Sequence, residues 1–136
     1  MMAKLLQIGS LVALLVAVGV LFGTSLPTWV GGHLAGNRLL GHMMASGVVV
    51  VLLPLYGYLR WNGWLHAPPR SWAVSIAFWM FIGTGFLTIA SMFACMLPMP
   101  STSAMRELID LHGWLGSTMV VAAAFNGWFH FRHRQA

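Results

Sequence analysis

Four long apolar runs constrain this chain more than any other feature of its sequence. They cover residues 5–23, 39–59, 72–97 and 108–129. A helix needs about 20 apolar residues to cross the roughly 30 Å hydrocarbon core of a bilayer, and each run meets that length. Proline, arginine and serine residues separate the runs. The sequence therefore predicts an all-α protein, an integral membrane four-helix up-down bundle in which residues 1–136 form a single transmembrane domain.

Charged side chains are too few to cover a water-soluble surface. The chain has seven Lys and Arg and two Asp and Glu, so that 7% of its residues are charged, whereas soluble domains carry about 25%. The basic residues lie at the ends of the apolar runs and form no basic stripe, which argues against nucleic-acid binding. Lys4 before the first run also fits a signal peptide, but the run is long for one, which favours a retained helix.

The distribution of lysine and arginine predicts the orientation in the membrane. Short connections make consecutive helices antiparallel neighbours, so both termini lie on one side. The basic residues on the side of the termini are Lys4, Arg60, Arg70, Arg132 and Arg134, and those on the other side are Arg38 and Arg106. Because cytoplasmic segments carry the excess of positive charge, we expect both termini on the cytoplasmic side.

Two histidines lie inside apolar runs, and ionisable residues inside a membrane are functional candidates. His42 lies three residues after the start of the second run, and His112 lies four after the start of the fourth. Both helices run inward, so both imidazoles should lie ~5 Å below the outer edge of the hydrocarbon. Two histidines opposed at one depth are what bis-histidine ligation of a b-type haem requires. Small residues beside them leave room for a macrocycle, although such residues also let cofactor-free helices pack closely.

A second pair of histidines on the inner side has a weaker case. His66 and His130 lie on the same side of the predicted bundle. We expect His66 in a proline-bounded loop, which makes it a poor rigid ligand. His130 belongs to a basic C-terminal stretch that suits a helix end and an anionic lipid surface.

Four charged residues near the outer ends of the second and fourth runs are further candidates. Arg38 and Arg106 can pair with haem propionates through charge-assisted contacts. Asp110 and Glu107 precede the histidine of the fourth run and are candidate acceptors for a quinol proton. The same residues also suit ordinary helix ends at a membrane interface.

The second and fourth runs resemble helices of a known family. The segments LLGHMMASGVVVVLLPLYGYLRW and ELIDLHGWLGSTMVVAAAFNGWFHF are similar to the second and fourth helices of the bacterial cytochrome b561 family of four-helix membrane cytochromes. That family carries two haems, and its fourth helix has two histidines fourteen residues apart. Here the first is His112, the second position holds Asn126, and the first run has no histidine. The resemblance implies a protein of the bacterial inner membrane that keeps one haem b, held by His42 and His112.

One haem near the periplasmic surface predicts an electron-transfer subunit rather than a stand-alone enzyme. It would exchange electrons with a periplasmic redox protein or a quinol, within a larger complex. Two alternatives remain open. The chain could be a haem-free structural subunit, or His42 and His112 could each bind the magnesium of a chlorophyll-type pigment singly. A transporter is disfavoured, because no acidic residue lies in the middle of a run.

Overall fold

The chain is described here by a computed structural model that covers residues 2–66, 71–98 and 101–132. Its α-helices are α1 (Met2–Ser25), α2 (Gly36–His66), α3 (Trp72–Cys95) and α4 (Thr102–Arg132), and a short 3-10 helix (Leu26–Val30) lies between α1 and α2. The described residues contain no strand. All four α-helices are long and apolar enough to cross a membrane, as the sequence predicts.

Three of the helices, α1, α2 and α4, extend beyond the apolar runs that predicted them, whereas α3 ends at Cys95, two residues before the end of its run. α2 continues to His66 and α4 begins at Thr102, about seven and six residues past the expected bounds. The prediction that His66 lies in a loop is therefore wrong. An apolar run marks the hydrocarbon layer, whereas a helix continues through the interface for as long as its backbone hydrogen bonds can form.

The connection between α1 and α2 turns the chain through a glycine in a left-handed conformation. Gly31 has φ 81°, a backbone conformation that glycine adopts without steric cost. The Gly31 N–H donates to the carbonyl of Thr28 at 3.4 Å, and the Gly32 N–H donates to that of Pro27 at 2.9 Å. α2 begins at Gly36, five residues after Gly31 and six residues before His42.

The four helices form two hairpins. α1 packs most extensively on α2, and α3 packs most extensively on α4, while the hairpins meet through α1–α4 and α2–α3. α2 and α4 lie on a diagonal, since no Cα atoms in their described parts approach within 8 Å. We call the end where α1 ends and α2 begins the upper end, and the end near residues 2 and 132 the lower end.

Large buried side chains fill the middle and lower parts of the bundle. The largest fully buried ones are Tyr56, Phe78, Phe81, Leu11, Leu14, Leu53, Met119 and Asn126. The Tyr56 ring centroid lies 6.0 Å from that of Phe78 and 6.2 Å from that of Phe81. Trp64 adds an edge contact to Phe78 with the centroids 4.7 Å apart. This aromatic cluster joins α2 to α3 below the level of the histidines.

Close contact between the hairpins depends on a glycine in α3. A Cβ at Gly85 would lie 2.5 Å from Cδ2 of Leu53, and Leu53 is fully buried. Since overpacking a core costs about 1–3 kcal/mol, we expect Gly85→Ala to lower the thermal unfolding temperature in detergent. Gly83→Ala is the matched control, because a Cβ there meets nothing within 4 Å. Equal unfolding temperatures for the two variants would contradict this account.

Candidate functional site

Two hydrogen bonds join α2 to α4 across the diagonal, and both link residues with the same separation in the sequence. The Asn126 amide donates to the Tyr56 hydroxyl at 3.0 Å, and Arg60 Nη1 lies 2.9 Å from His130 Nδ1. Arginine can only donate, so Nδ1 accepts this bond. Each bond joins residues 70 positions apart in the sequence. The histidines at positions 42 and 112 differ by the same 70 positions (112 − 42), so the same register brings them opposite each other nearer the upper end.

A cavity of about 280 Å³ lies between the hairpins, and both His42 and His112 line it. Most of its wall is apolar, with Leu21, Phe22, Val49, Ile89, Met92 and Val120 among the lining residues. Gly113 and Gly116 of α4 also line it, and Thr28 and Trp29 carry it to the upper end. The cavity therefore joins two imidazoles from diagonally opposite helices in a largely apolar space.

The ring of His112 is oriented by α3. Its Nδ1 lies 3.0 Å from Ser91 Oγ and 3.2 Å from the Thr88 carbonyl oxygen. A carbonyl can only accept, and the Ser91 hydroxyl already donates to that carbonyl at 2.8 Å. Nδ1 is therefore the protonated nitrogen and donates to both oxygens. In neutral imidazole this tautomer leaves the lone pair on Nε2, where a metal binds.

The ring of His42 is oriented in the same way by α1. Its Nδ1 lies 3.0 Å from Thr24 Oγ1 and 3.5 Å from Ser25 Oγ. Both hydroxyls also bond to backbone carbonyls: Thr24 donates toward Val20 at 2.8 Å, and Ser25 donates to Leu21 at 2.8 Å. With its hydrogen on a carbonyl, each hydroxyl oxygen can accept from an Nδ1–H of His42. Each imidazole is thus oriented by the other helix of its own hairpin, with Nε2 left to bind.

The sequence did not predict these hydroxyl partners. Serine and threonine in a helix usually bond to the carbonyl one turn back, so Thr24 and Ser91 look ordinary in an apolar run. Their position along the helices is the sequence signal that could have identified them. Thr24 lies at the end of α1 and Ser91 lies near the end of α3, so both are at the level of the histidines in an antiparallel bundle.

The charged candidates do not line the cavity. Arg38, Arg106, Glu107 and Asp110 are all exposed, and none is among the lining residues. On α4 the lining position above the histidine is held by Ile109. The structure therefore does not bring these four residues to the imidazoles. Their roles toward propionates and quinol stay predictions.

The position that would hold a second haem ligand in the resembling family is closed by side chains. Asn126 is 2% exposed and bonded to Tyr56, and His130 is bonded to Arg60. The side chain of His66 lies outside the described residues. No group of three or more His, Cys, Asp or Glu that could hold a metal ion occurs in the part of the chain that the structure describes.

Comparison of the chain with models of known families, with curated proteins and with solved structures finds no match. The resemblance to the cytochrome b561 family therefore rests on the residues quoted above. The cavity and its two histidines are the structural features that bear on function.

Proposed function

We propose that the protein is a membrane b-type cytochrome subunit that transfers electrons through one haem b bound by His42 and His112. One observation carries the proposal. Two imidazoles from diagonally opposite helices line a single cavity, and each is oriented through Nδ1 so that Nε2 is left to bind. Bis-histidine ligation uses one imidazole nitrogen at each axial position of the iron.

The residues around the cavity suit a flat apolar macrocycle. Metal-binding histidines almost always donate their other N–H to a carbonyl, carboxylate or water, and the Thr88 carbonyl is such a partner for His112. Gly113 and Gly116 have no side chain beyond a hydrogen atom, so they leave space on α4 beside His112. The cavity volume of about 280 Å³ lies just below the roughly 300–1,000 Å³ range of ligand pockets.

The bound group would supply one-electron chemistry, and the chain would control where and at what potential it occurs. The imidazoles of His42 and His112 would hold the iron from two hairpins. The Nδ1 bonds to Thr24, Ser91 and Thr88 orient the rings, and apolar walls limit the access of water. Axial ligation, hydrogen bonding to the ligands and burial are the means by which a protein tunes a haem potential.

The filled lower part of the bundle supports a single haem. Asn126 lies fourteen residues below His112 on α4, or ~21 Å along the helix, and Tyr56, Phe78 and Phe81 occupy that level with it. A single haem near one surface leaves no cofactor relay across the bilayer. This favours a subunit that exchanges electrons with a redox partner or a quinol on one side, within a larger complex.

We further propose a place in the bacterial inner membrane with both termini in the cytoplasm. The support is the positive-inside rule: Lys4, Arg60 and Arg132 lie toward the lower end, and Arg38 and Arg106 lie toward the upper end. Arg70 and Arg134 lie outside the described residues. The cavity would then be on the periplasmic side, where partner subunits or quinol would meet it.

Charged residues at that surface are the proposed partners of the haem propionates and of a quinol. Arg38 and Arg106 are the cations available to haem propionates, and Asp110 and Glu107 are the acids available to a quinol. All four are exposed and would reach such groups from the membrane interface rather than from within the cavity.

A reduced-minus-oxidised spectrum with a pyridine haemochrome assay tests the proposal on protein purified in mild detergent from its native membrane. We expect one haem b per chain, with a sharp Soret band and an α band on dithionite reduction. Two haems per chain would contradict the single site. No haem would overturn the proposal, and absorbance in the red without reductant would instead indicate a pigment held singly by each imidazole.

A further inference from the structure

A buried polar cluster joins the two hairpins well below the cavity. We name it the lower clasp, and it consists of Tyr56, Arg60, Asn126 and His130. Tyr56, Asn126 and His130 are 0%, 2% and 7% exposed. Tyr56 bonds to Asn126 at 3.0 Å, and Arg60 bonds to His130 at 2.9 Å. Both bonds cross the diagonal between α2 and α4, whose described parts have no Cα atoms within 8 Å of each other.

Two hydrogen bonds in this arrangement restrict the movement of α4 relative to α2 more than a single bond could. The partners on each helix are four residues apart, which is one helical turn, so the bonds lie one above the other on facing surfaces. One bond alone would let a helix pivot about it. Two successive bonds restrict both the sliding of α4 along α2 and its rotation about its own axis.

The upper end offers less to hold this register. There the cavity separates His42 from His112, and each imidazole bonds to a helix of its own hairpin. In lipid, the association of helices depends on close packing and polar contacts rather than on a hydrophobic force. A slip of α4 by one turn, ~5.4 Å, would carry His112 past His42.

We infer that the lower clasp sets the register between the two hairpins and so holds His42 and His112 opposite each other. Tyr56 and Asn126 are then positioning residues for the two imidazoles, although they lie about four helical turns, or ~21 Å, away from them. The effect on haem rests on the proposed function. The effect on helix register is a property of the protein without haem.

Variants that remove the polar groups of the clasp separate its bond from simple packing. Tyr56→Phe removes only the hydroxyl, Asn126→Leu replaces the amide by two methyl groups on a side chain of the same branching, and the double variant makes both changes. Tyr58→Phe is the matched control, because Tyr58 lies on the same helix and is 66% exposed. If Tyr56 served only to fill the core, Tyr56→Phe would behave like this control.

The first readout needs no haem. Spin labels at Met43→Cys and Trp114→Cys, in a Cys95→Ser background, report the distance between the upper ends of α2 and α4. Both labelled positions are exposed, at 60% and 74%. We expect the distance distribution to broaden or shift in Tyr56→Phe and Asn126→Leu, and to stay unchanged in Tyr58→Phe. The double variant should match the single variants, because either change breaks the same bond.

The second readout is the rate of haem release together with the spectrum of the bound haem. We expect the clasp variants to bind one haem and to release it to an acceptor apoprotein about three to ten times faster, since one interhelical bond in a membrane is worth such a factor. Their low-spin electron paramagnetic resonance signal should broaden, which a loss of overall stability alone would not produce.

Each outcome bears on a separate claim. Distances and release rates equal to those of Tyr58→Phe would overturn the role of the clasp while leaving the haem proposal intact. Absence of haem from the parent protein would overturn the proposed function, and the label distances would still decide the role of the clasp. If Asn126→Leu fails to fold, Tyr56→Phe alone carries the comparison.

Discussion

Alanine in place of either His42 or His112 is expected to remove stable haem from the purified protein. Loss of the hydrogen-bond partner of a metal ligand typically costs about 10- to 100-fold in affinity, so loss of the ligand itself should cost at least about 100-fold. The two variants should be alike, because the imidazoles approach the same cavity from two hairpins. Haem per chain and the spin state of any residual haem are the measurements.

A third histidine provides the control for this pair. His33 is exposed in the connection between α1 and α2 and does not line the cavity, so His33→Ala should keep one low-spin haem. A residual five-coordinate, high-spin spectrum in His42→Ala or His112→Ala would fit the loss of one axial ligand. Full retention of a low-spin haem in either variant would exclude that histidine as a ligand.

Filling the cavity is expected to abolish haem binding while both histidines remain. Gly116 lines the cavity one turn after His112, and side chains on a helix point back toward its N-terminus. Phenylalanine at this position would therefore project over the imidazole. We expect Gly116→Phe to reduce haem per chain to below about a tenth, on the scale of losses seen when the surroundings of a metal ligand are disrupted.

Two controls separate cavity filling from damage to the fold. A Cβ at Gly116 would lie 4.0 Å from Thr88 Cγ2, an ordinary contact, so Gly116→Ala should keep its haem. Gly47 of α2 is exposed, has open space around a Cβ and does not line the cavity. Gly47→Phe should therefore also keep haem. Unchanged haem in Gly116→Phe, with a normal spectrum, would show that the group binds elsewhere.

The sequence does not predict which face of its helix each side chain lies on. The positions of Arg38 and Asp110 near the histidines in sequence make them candidates for haem propionates and for a quinol proton, yet both are exposed and neither lines the cavity. Spacing gives the depth of a residue. The inward face of a soluble helix shows as an apolar stripe, whereas a membrane helix is apolar all round. Nothing in such a pattern marks the face that meets a neighbour.

The bonds across the diagonal were equally hidden. In the sequence, Asn126 stands out only because it occupies a position where the resembling family has a histidine, and Tyr56 does not stand out. Only the packing of two hairpins brings the amide and the phenol within 3.0 Å. The same holds for Ser91 and Thr24, whose bonds to the imidazoles depend on how α3 meets α4 and α1 meets α2.

The sequence by itself determined that four helices are long and apolar enough to cross a membrane, because an apolar run must match the thickness of the hydrocarbon layer. It also predicted that His42 and His112 lie at one level of the bundle, and both line one cavity. The tertiary structure decided which helices lie on a diagonal, where the cavity opens and which polar groups meet. The physical reason is that lipid and bundle interior are equally apolar, so hydrophobicity cannot choose between them. Side-chain shape and hydrogen bonds such as that from Asn126 to Tyr56 make that choice.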